Sequence, residues 1–205
     1  MFMADRLEHQ WYNDEDVLVW DVRAWIGSDY YKFYLESEGE KLTDKAIESA
    51  DLELFLNRTL NPFWDLQLGI RHDFQPSPSR TFLAFGFQGL APYWFEVDAT
   101  AYVSEDGDVS AAMEAEYDIL LSQRLIFQPR FEIALAIQDV PEYGIGSGIN
   151  DIELGVRLRY EIRREFAPYI GVSWHRKIGQ TADMARDENE DIESGAFIAG
   201  VRMWF

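Results

Sequence analysis

Metal ligation is the first chemistry the residues of this chain invite, and the supply of soft and borderline donors is small. There are three histidines, His9, His72 and His175, five methionines, Met1, Met3, Met113, Met184 and Met203, and no cysteine. Lack of thiols excludes thiolate metal centres and disulfides together. Imidazole and thioether remain, the first suited to borderline and the second to soft transition metals. No paired-His or Met-x-x-Met spacing occurs, so spacing alone defines no strong metal site. Nucleophilic catalysis has less support still. Ser173 and His175 share a strand face, but residues two apart on a strand stand ~6.6 Å apart, beyond a direct Ser–His hydrogen bond. An enzyme is therefore not expected.

Carboxylates are the abundant reactive group. Asp and Glu number 37 against 18 Lys and Arg, for a formal charge of -19. Binding phosphates requires Lys and Arg to displace counterions, so nucleic acid is excluded as a partner. Cations, or a highly hydrated acidic surface, remain.

The elements that must position these groups are legible in the hydropathy pattern. Hydrophobic residues make up 47% of the 205 and aromatic ones 15%, yet the mean hydropathy is -0.26. Apolar and polar residues must therefore be interleaved, as on strands with two unlike faces. No run approaches the ~18 uninterrupted apolar residues of a membrane-spanning helix. No basic, apolar leader opens the sequence, as expected of a chain whose leader has been removed or which begins inside a longer precursor. No linker-like stretch divides the chain, so one domain is expected over residues 1–205.

Alternation is clearest from residue 93 onward. Phe95, Val97, Ala99, Ala101 and Val103 share one face, with Trp94, Glu96, Asp98, Thr100 and Tyr102 on the other. After the reversal signal EDGD at 105–108, Val109, Ala111, Met113, Ala115 and Tyr117 oppose Ser110, Glu114, Glu116 and Asp118. Ile152, Leu154, Val156 and Leu158 likewise oppose Asp151, Glu153, Arg157 and Arg159. The segments are longer than the ~5–6 residues usual in a soluble sheet. Their polar faces carry charges of both signs and their apolar faces almost none, as in a closed wet barrel in lipid. Phe197, Ala199, Val201, Met203 and Phe205 alternate to the last residue, and such an aromatic-ended strand resembles the assembly signal of bacterial outer-membrane barrels.

The expected fold is an all-β, transmembrane, antiparallel up-and-down β-barrel. Strands are predicted at 2–11, 17–26, 29–38, 45–60, 63–74, 80–90, 93–105, 108–122, 124–138, 148–163, 166–178 and 194–205, twelve in all. The first alternates poorly, with Met3, Asp5, Leu7 and His9 on one face, so ten strands plus an N-terminal arm stands as the alternative. With both ends on the periplasmic side, short turns fall at 27–28, 61–62, 91–92, 122–123 and 164–165. Longer, often acidic outer loops fall at 12–16, 39–44, 75–79, 105–107, 139–147 and 179–193. Aromatic residues near strand ends, among them Trp11, Tyr30, Phe63, Tyr93, Tyr169 and Phe205, are expected to form membrane girdles. Trp25, Trp94 and Trp204 fall on the lumen face by parity and are read as packing inside a narrow barrel.

On the lumen face the acids gather. Glu96 and Asp98 face Glu114, Glu116 and Asp118 across a hairpin, joined by Asp65, Asp73, Asp151 and Glu153. They suggest a cation pathway or vestibule. Arg71, Arg130, Arg157, Arg159 and Arg202 share that inward face and could instead pair with the acids to plug the barrel; both readings stand.

The last third, GINDIELGVRLRYEIRREFAPYIGVSWHRKIGQTADMARDENED followed by FIAGVRMWF, resembles the C-terminal region of the copper-resistance protein B family. The opening runs FMADRLEHQW and VLVWDVRAWIGSDYYKFYLESEGE resemble the start of the barrel in that family, and RKIGQTADMAR at 176–186 is the most specific part. The resemblance covers nearly the whole chain. It implies a barrel of the bacterial outer membrane that confers copper tolerance by binding copper, conducting it across the membrane, or both. The implied partners are copper ions, as Cu(I) or Cu(II), and outer-membrane lipids, with a periplasmic copper-binding protein as a further one. Family members often carry a Met- and His-rich segment ahead of the barrel, which these residues do not include. If that segment is the principal store, the barrel keeps the pore or a minor site. Within the chain, His175 points into the lumen near the outer rim and Met184 lies in the loop after it, so the two are a candidate copper site at the mouth. Met3 and His9 form a second candidate pair if the first strand curls inward, and otherwise a frayed edge. Met113 and Met203 face lipid, and His72 lies on the apolar face near the rim. The alternative function is a small passive, cation-attracting porin or structural barrel without copper specificity.

Overall fold

The computed structural model describes residues 1–12, 15–43 and 46–205. Its strands are β1 (Phe2–Trp11), β2 (Asp16–Gly27), β3 (Tyr31–Leu42), β4 (Ile47–Asn61), β5 (Trp64–Gln75), β6 (Arg80–Ala91) and β7 (Phe95–Ser104). They continue through β8 (Val109–Glu116), β9 (Ile119–Leu120), β10 (Leu125–Ala136), β11 (Gly148–Tyr160), β12 (Phe166–Lys177) and β13 (Glu193–Trp204). Strands adjacent in sequence pair antiparallel, except that β8 and β9 both pair with β10, and β13 returns to pair with β1. The sheet is closed, so no strand edge is left to face lipid with unpaired backbone groups. Closure is completed at the ends of the chain, where Phe2 and Phe205 exchange backbone hydrogen bonds of 3.0 and 2.9 Å.

Twelve positions around the barrel are filled by thirteen segments, because β8 and β9 occupy one position against β10. The interruption has a cause in sequence. Tyr117 N donates to Pro129 O, so the missing N–H of Pro129 would have pointed to the same side and returned that bond. With no donor opposite, the predicted strand 108–122 breaks after Glu116 and resumes at Ile119.

Burial runs opposite to that of a soluble protein. The most buried large side chains are Gln67, Glu8 and Asn57, while Leu54, Leu68, Ile70, Leu83, Ile170 and Phe197 are exposed around the outside. Inside, a small aromatic cluster of Tyr34 and Phe55 is joined by Trp25 and Tyr102. Leu54 lies midway along β4 and faces outward. Leu54→Arg is expected to destabilise the barrel by about 2–4 kcal/mol, the cost of a cation at the bilayer midplane, read as urea-induced unfolding in lipid vesicles. A neutral result would place this face in water.

Several expectations need correction. β1 pairs with β2 on one side and β13 on the other, so the N-terminal arm is overturned. Its poor alternation is a β-bulge: the register shifts between Ala4 and Arg6, and the neighbours Asp5 and Arg6 both turn inward, to Arg202 and to Asp21. A bulge inserts one residue and inverts the parity of all that follows. β7 begins at Phe95, not 93. Tyr93 and Trp94 form a turn with φ of 69° each, and Trp94 is 68% exposed rather than in the lumen. Tyr169, placed with the girdle, is buried inside, where its hydroxyl donates to Glu8. β3 runs to Leu42, so the loop expected from residue 39 begins at Thr43. Residues 13, 14 and 44 of the expected outer loops lie outside the described residues. The loop expected at 179–193 contains a helix, α1 (Gly179–Asp187).

Candidate cation pathway

Closing twelve alternating strands puts every second side chain inside, and the cavity so formed has a volume of about 380 Å³. Eleven carboxylates line it against three arginines, Arg23, Arg71 and Arg202. Glu96, Asp98, Glu114 and Glu116 are there as the pattern predicted, and Asp5, Asp21, Glu36, Glu38, Asp51, Glu53 and Glu132 join them from other strands. A second cavity of about 450 Å³ lies toward the short-turn end and shares Met3, Arg23, Gln88, Gly89 and Leu90 with the first. Its wall carries the stacked rings of Trp25 and Tyr34, 5.5 Å apart, and the Lys32–Asp65 ion pair at 3.3 Å.

Strand register lines the acids up. Asp98 lies directly opposite Glu114, Glu114 opposite Glu132, Glu132 opposite Glu153, and Glu153 opposite His175. One pair nearer the short-turn end, Glu96 faces Glu116. Like charges in directly opposed positions repel, so this row requires compensation. Arg130 supplies it. Its guanidinium contacts Glu114 at 2.8 Å through two nitrogens, Glu132 at 2.8 Å, Glu116 at 3.4 Å and Glu153 at 3.5 Å. On another wall Arg71 does the same for Asp73 at 2.6 Å, Asp51 at 3.0 Å and Glu53 at 3.3 Å, with the Tyr102 ring beneath it. Arg6 holds Asp21 and Glu38.

The remaining predicted acids are also inside. Asp118 pairs with Arg159 at 2.6 Å near the short-turn end, and Asp73 belongs to the Arg71 cluster. Asp151 Oδ1 meets His175 Nε2 at 2.9 Å near the long-loop end. Arginines and acids therefore do pair, as the plug reading required, but the cavity remains open between the clusters and acids outnumber arginines on its wall.

The candidate metal ligands fare unequally. His175 faces the lumen, whereas His9 and His72 face outward, His9 beside Trp11 and Asp16 and His72 beside Phe74 and Thr81. Met3 lines both cavities. The bulge between them puts Met3 inside and His9 outside, so the Met3–His9 pair does not form. Met184 lies half-buried on α1, and among the described residues no hydrogen bond joins it to His175. Nor, among the described residues, does any group of three or more His, Asp or Glu side chains converge closely enough to hold a metal ion.

Sequence reasoning puts Glu132 on the polar face with Arg130 but missed Asp5, Arg6, Glu8, Asp21, Arg23, Glu36, Glu38, Asp51 and Glu53 as members of this interior network. The signal was present in the spacing of two between Asp21 and Arg23, Glu36 and Glu38, and Asp51 and Glu53, the same alternation read from residue 93 onward. The long-loop end was less legible. There Gly146 N and Ser147 N donate to Thr181 and Gln180 of α1, and Arg80 lies between the Phe82 and Tyr143 rings while bonding Asp108.

Fold comparison defines the class. The chain superposes on the NanC porin with a TM-score of 0.62 over 100% of both chains at 11% identity, and on the KdgM porin with 0.59 over 99% of both at 14%. Its fold is that of a porin-like β-barrel. Sequence comparison goes further: the family model described as Copper resistance protein B precursor (CopB) matches residues 1–205. Copper resistance protein B of Escherichia coli is 46% identical over 205 residues, which are 100% of this chain and 69% of that one. The Copper resistance protein B homolog of Pseudomonas syringae pv. tomato is 43% identical over 204 residues, with the same coverage. This chain belongs to the copper resistance protein B family.

Proposed function

We propose that this chain is a cation conduit of the outer membrane whose cargo is ionic copper, held loosely by lumen carboxylates and passed between the two mouths. The observation that carries this reading is the cavity wall of eleven carboxylates against three arginines. A low-dielectric channel lined by one sign of charge concentrates counterions and repels anions. His175 is the imidazole of the pathway, at the end of the acid row, with Met184 on the helix that follows. A periplasmic copper-binding protein would meet the cargo at the short-turn mouth.

The donor set also favours a second reading. Oxygen ligands are not selective for copper, so the same lumen suits a passive cation-attracting porin. Titration of the purified barrel in detergent with Cu(I), Cu(II) and Zn(II) separates the two. The conduit reading predicts a preference for copper over zinc that falls by about tenfold in Kd, about 1.4 kcal/mol, in a His175→Ala/Met184→Ala variant. Equal binding of copper and zinc in both proteins would leave the passive pore.

A further inference from the structure

We infer that Arg130 is a tethered counter-cation that keeps the acid row from trapping its cargo, and so sets how fast divalent cations pass; this rests on the conduit reading above. Four carboxylates from three adjacent strands converge on one guanidinium, Glu114 and Glu116 from β8, Glu132 from β10 and Glu153 from β11. A fixed positive charge is thus already seated among the carboxylates of the row. The Arg130 side chain is only 2% exposed and does not line the cavity, whereas Glu114, Glu116 and Glu132 do. Each of those carboxylates therefore has the arginine behind it and the open lumen before it.

That arrangement has a consequence for a passing ion. Carboxylate oxygens committed to a charge-assisted hydrogen bond have fewer lone pairs for a metal, and their field is reduced by one permanent positive charge. Divalent cations gain affinity with each added carboxylate ligand, across decades of Kd. Conduction needs sites that attract ions yet release them. With Arg130 in place the row attracts without closing around the ion; without it, the four carboxylates would lose the one guanidinium that contacts them all.

The test uses the full chain, parent and Arg130→Gln, with Zn(II) as a redox-inert probe. Binding is measured by equilibrium dialysis in detergent, and block of K⁺ current in planar bilayers. Arg130→Gln is expected to bind Zn(II) about tenfold more tightly and to be blocked at correspondingly lower concentration, as added ligand charge dictates. Arg130→Lys keeps a charge but not the fork that reaches four carboxylates, so a gain between parent and Arg130→Gln is expected; it decides alone should Arg130→Gln not fold. Parental Zn(II) affinity and block in the folded variants, with K⁺ selectivity intact, would overturn the inference and make Arg130 a structural staple. A parent that does not select cations over anions would instead overturn the conduit reading itself.

Discussion

Replacing Arg157 with alanine is expected to destabilise the barrel by about 3–5 kcal/mol, the range for stranding one partner of a buried ion pair. Glu8 is 0% exposed and Arg157 3%. Arg157 Nε donates to Glu8 Oε1 at 2.6 Å, Tyr169 donates to the same oxygen at 3.1 Å, and Gln10 donates to Glu8 Oε2 at 2.9 Å. The contact also ties β11 to β1, 149 residues apart in sequence. Without Arg157 a carboxylate remains in the wall with only neutral donors. Glu8→Gln/Arg157→Met removes both charges and is expected to recover most of the loss, since the cost lies in the unpaired charge. The measurement is urea-induced unfolding in lipid vesicles, with heat-modifiable gel migration as the fold check. A loss below about 1 kcal/mol, the ceiling for exposed pairs, would show that the pair is solvated.

The second large effect concerns transport. Glu36, Glu96 and Asp98 line the cavity and, among the described residues, form no salt bridge with arginine or lysine. Their neutralisation as Glu36→Gln, Glu96→Gln and Asp98→Asn is expected to cut copper entry about tenfold at low ionic strength, within the range of electrostatic focusing in charged clefts. The defect should shrink as salt rises, because screening weakens the parent's advantage. Fold and stability should be little changed, since no ion pair is broken. Copper flux through the triple variant equal to the parent's, at 10 and at 150 mM salt, would remove the acids from the pathway.

Both effects arise from residues that the alternating pattern placed indoors, and the twelve-strand closed barrel was likewise legible from that pattern and from the aromatic-ended last strand. Where the reading slipped, a local backbone event intervened. The inward-facing neighbours Asp5 and Arg6 invert parity, so Met3 and His9, six residues apart, end on opposite faces although both numbers are odd. Pro129 interrupts the partner of its own strand rather than itself, which a single-strand reading does not see. GQTADMARD carries no wide apolar stripe, so its pattern predicts a loop where α1 stands, and the buried residues of α1 are the small Thr181, Ala182 and Ala185. The arginine-centred clusters lie beyond sequence reading altogether. That Arg130 reaches four carboxylates and Arg71 three follows from barrel closure and side-chain length, not from spacing along one strand.

The central claim, that the acid-lined lumen conducts copper cations, is tested most directly in proteoliposomes holding a copper-quenched fluorophore, with copper added outside and chloride permeability followed in parallel. The account predicts quenching well above that of protein-free vesicles, with chloride permeability remaining low. Quenching no faster than in protein-free vesicles, or chloride passing as readily as copper, would contradict it.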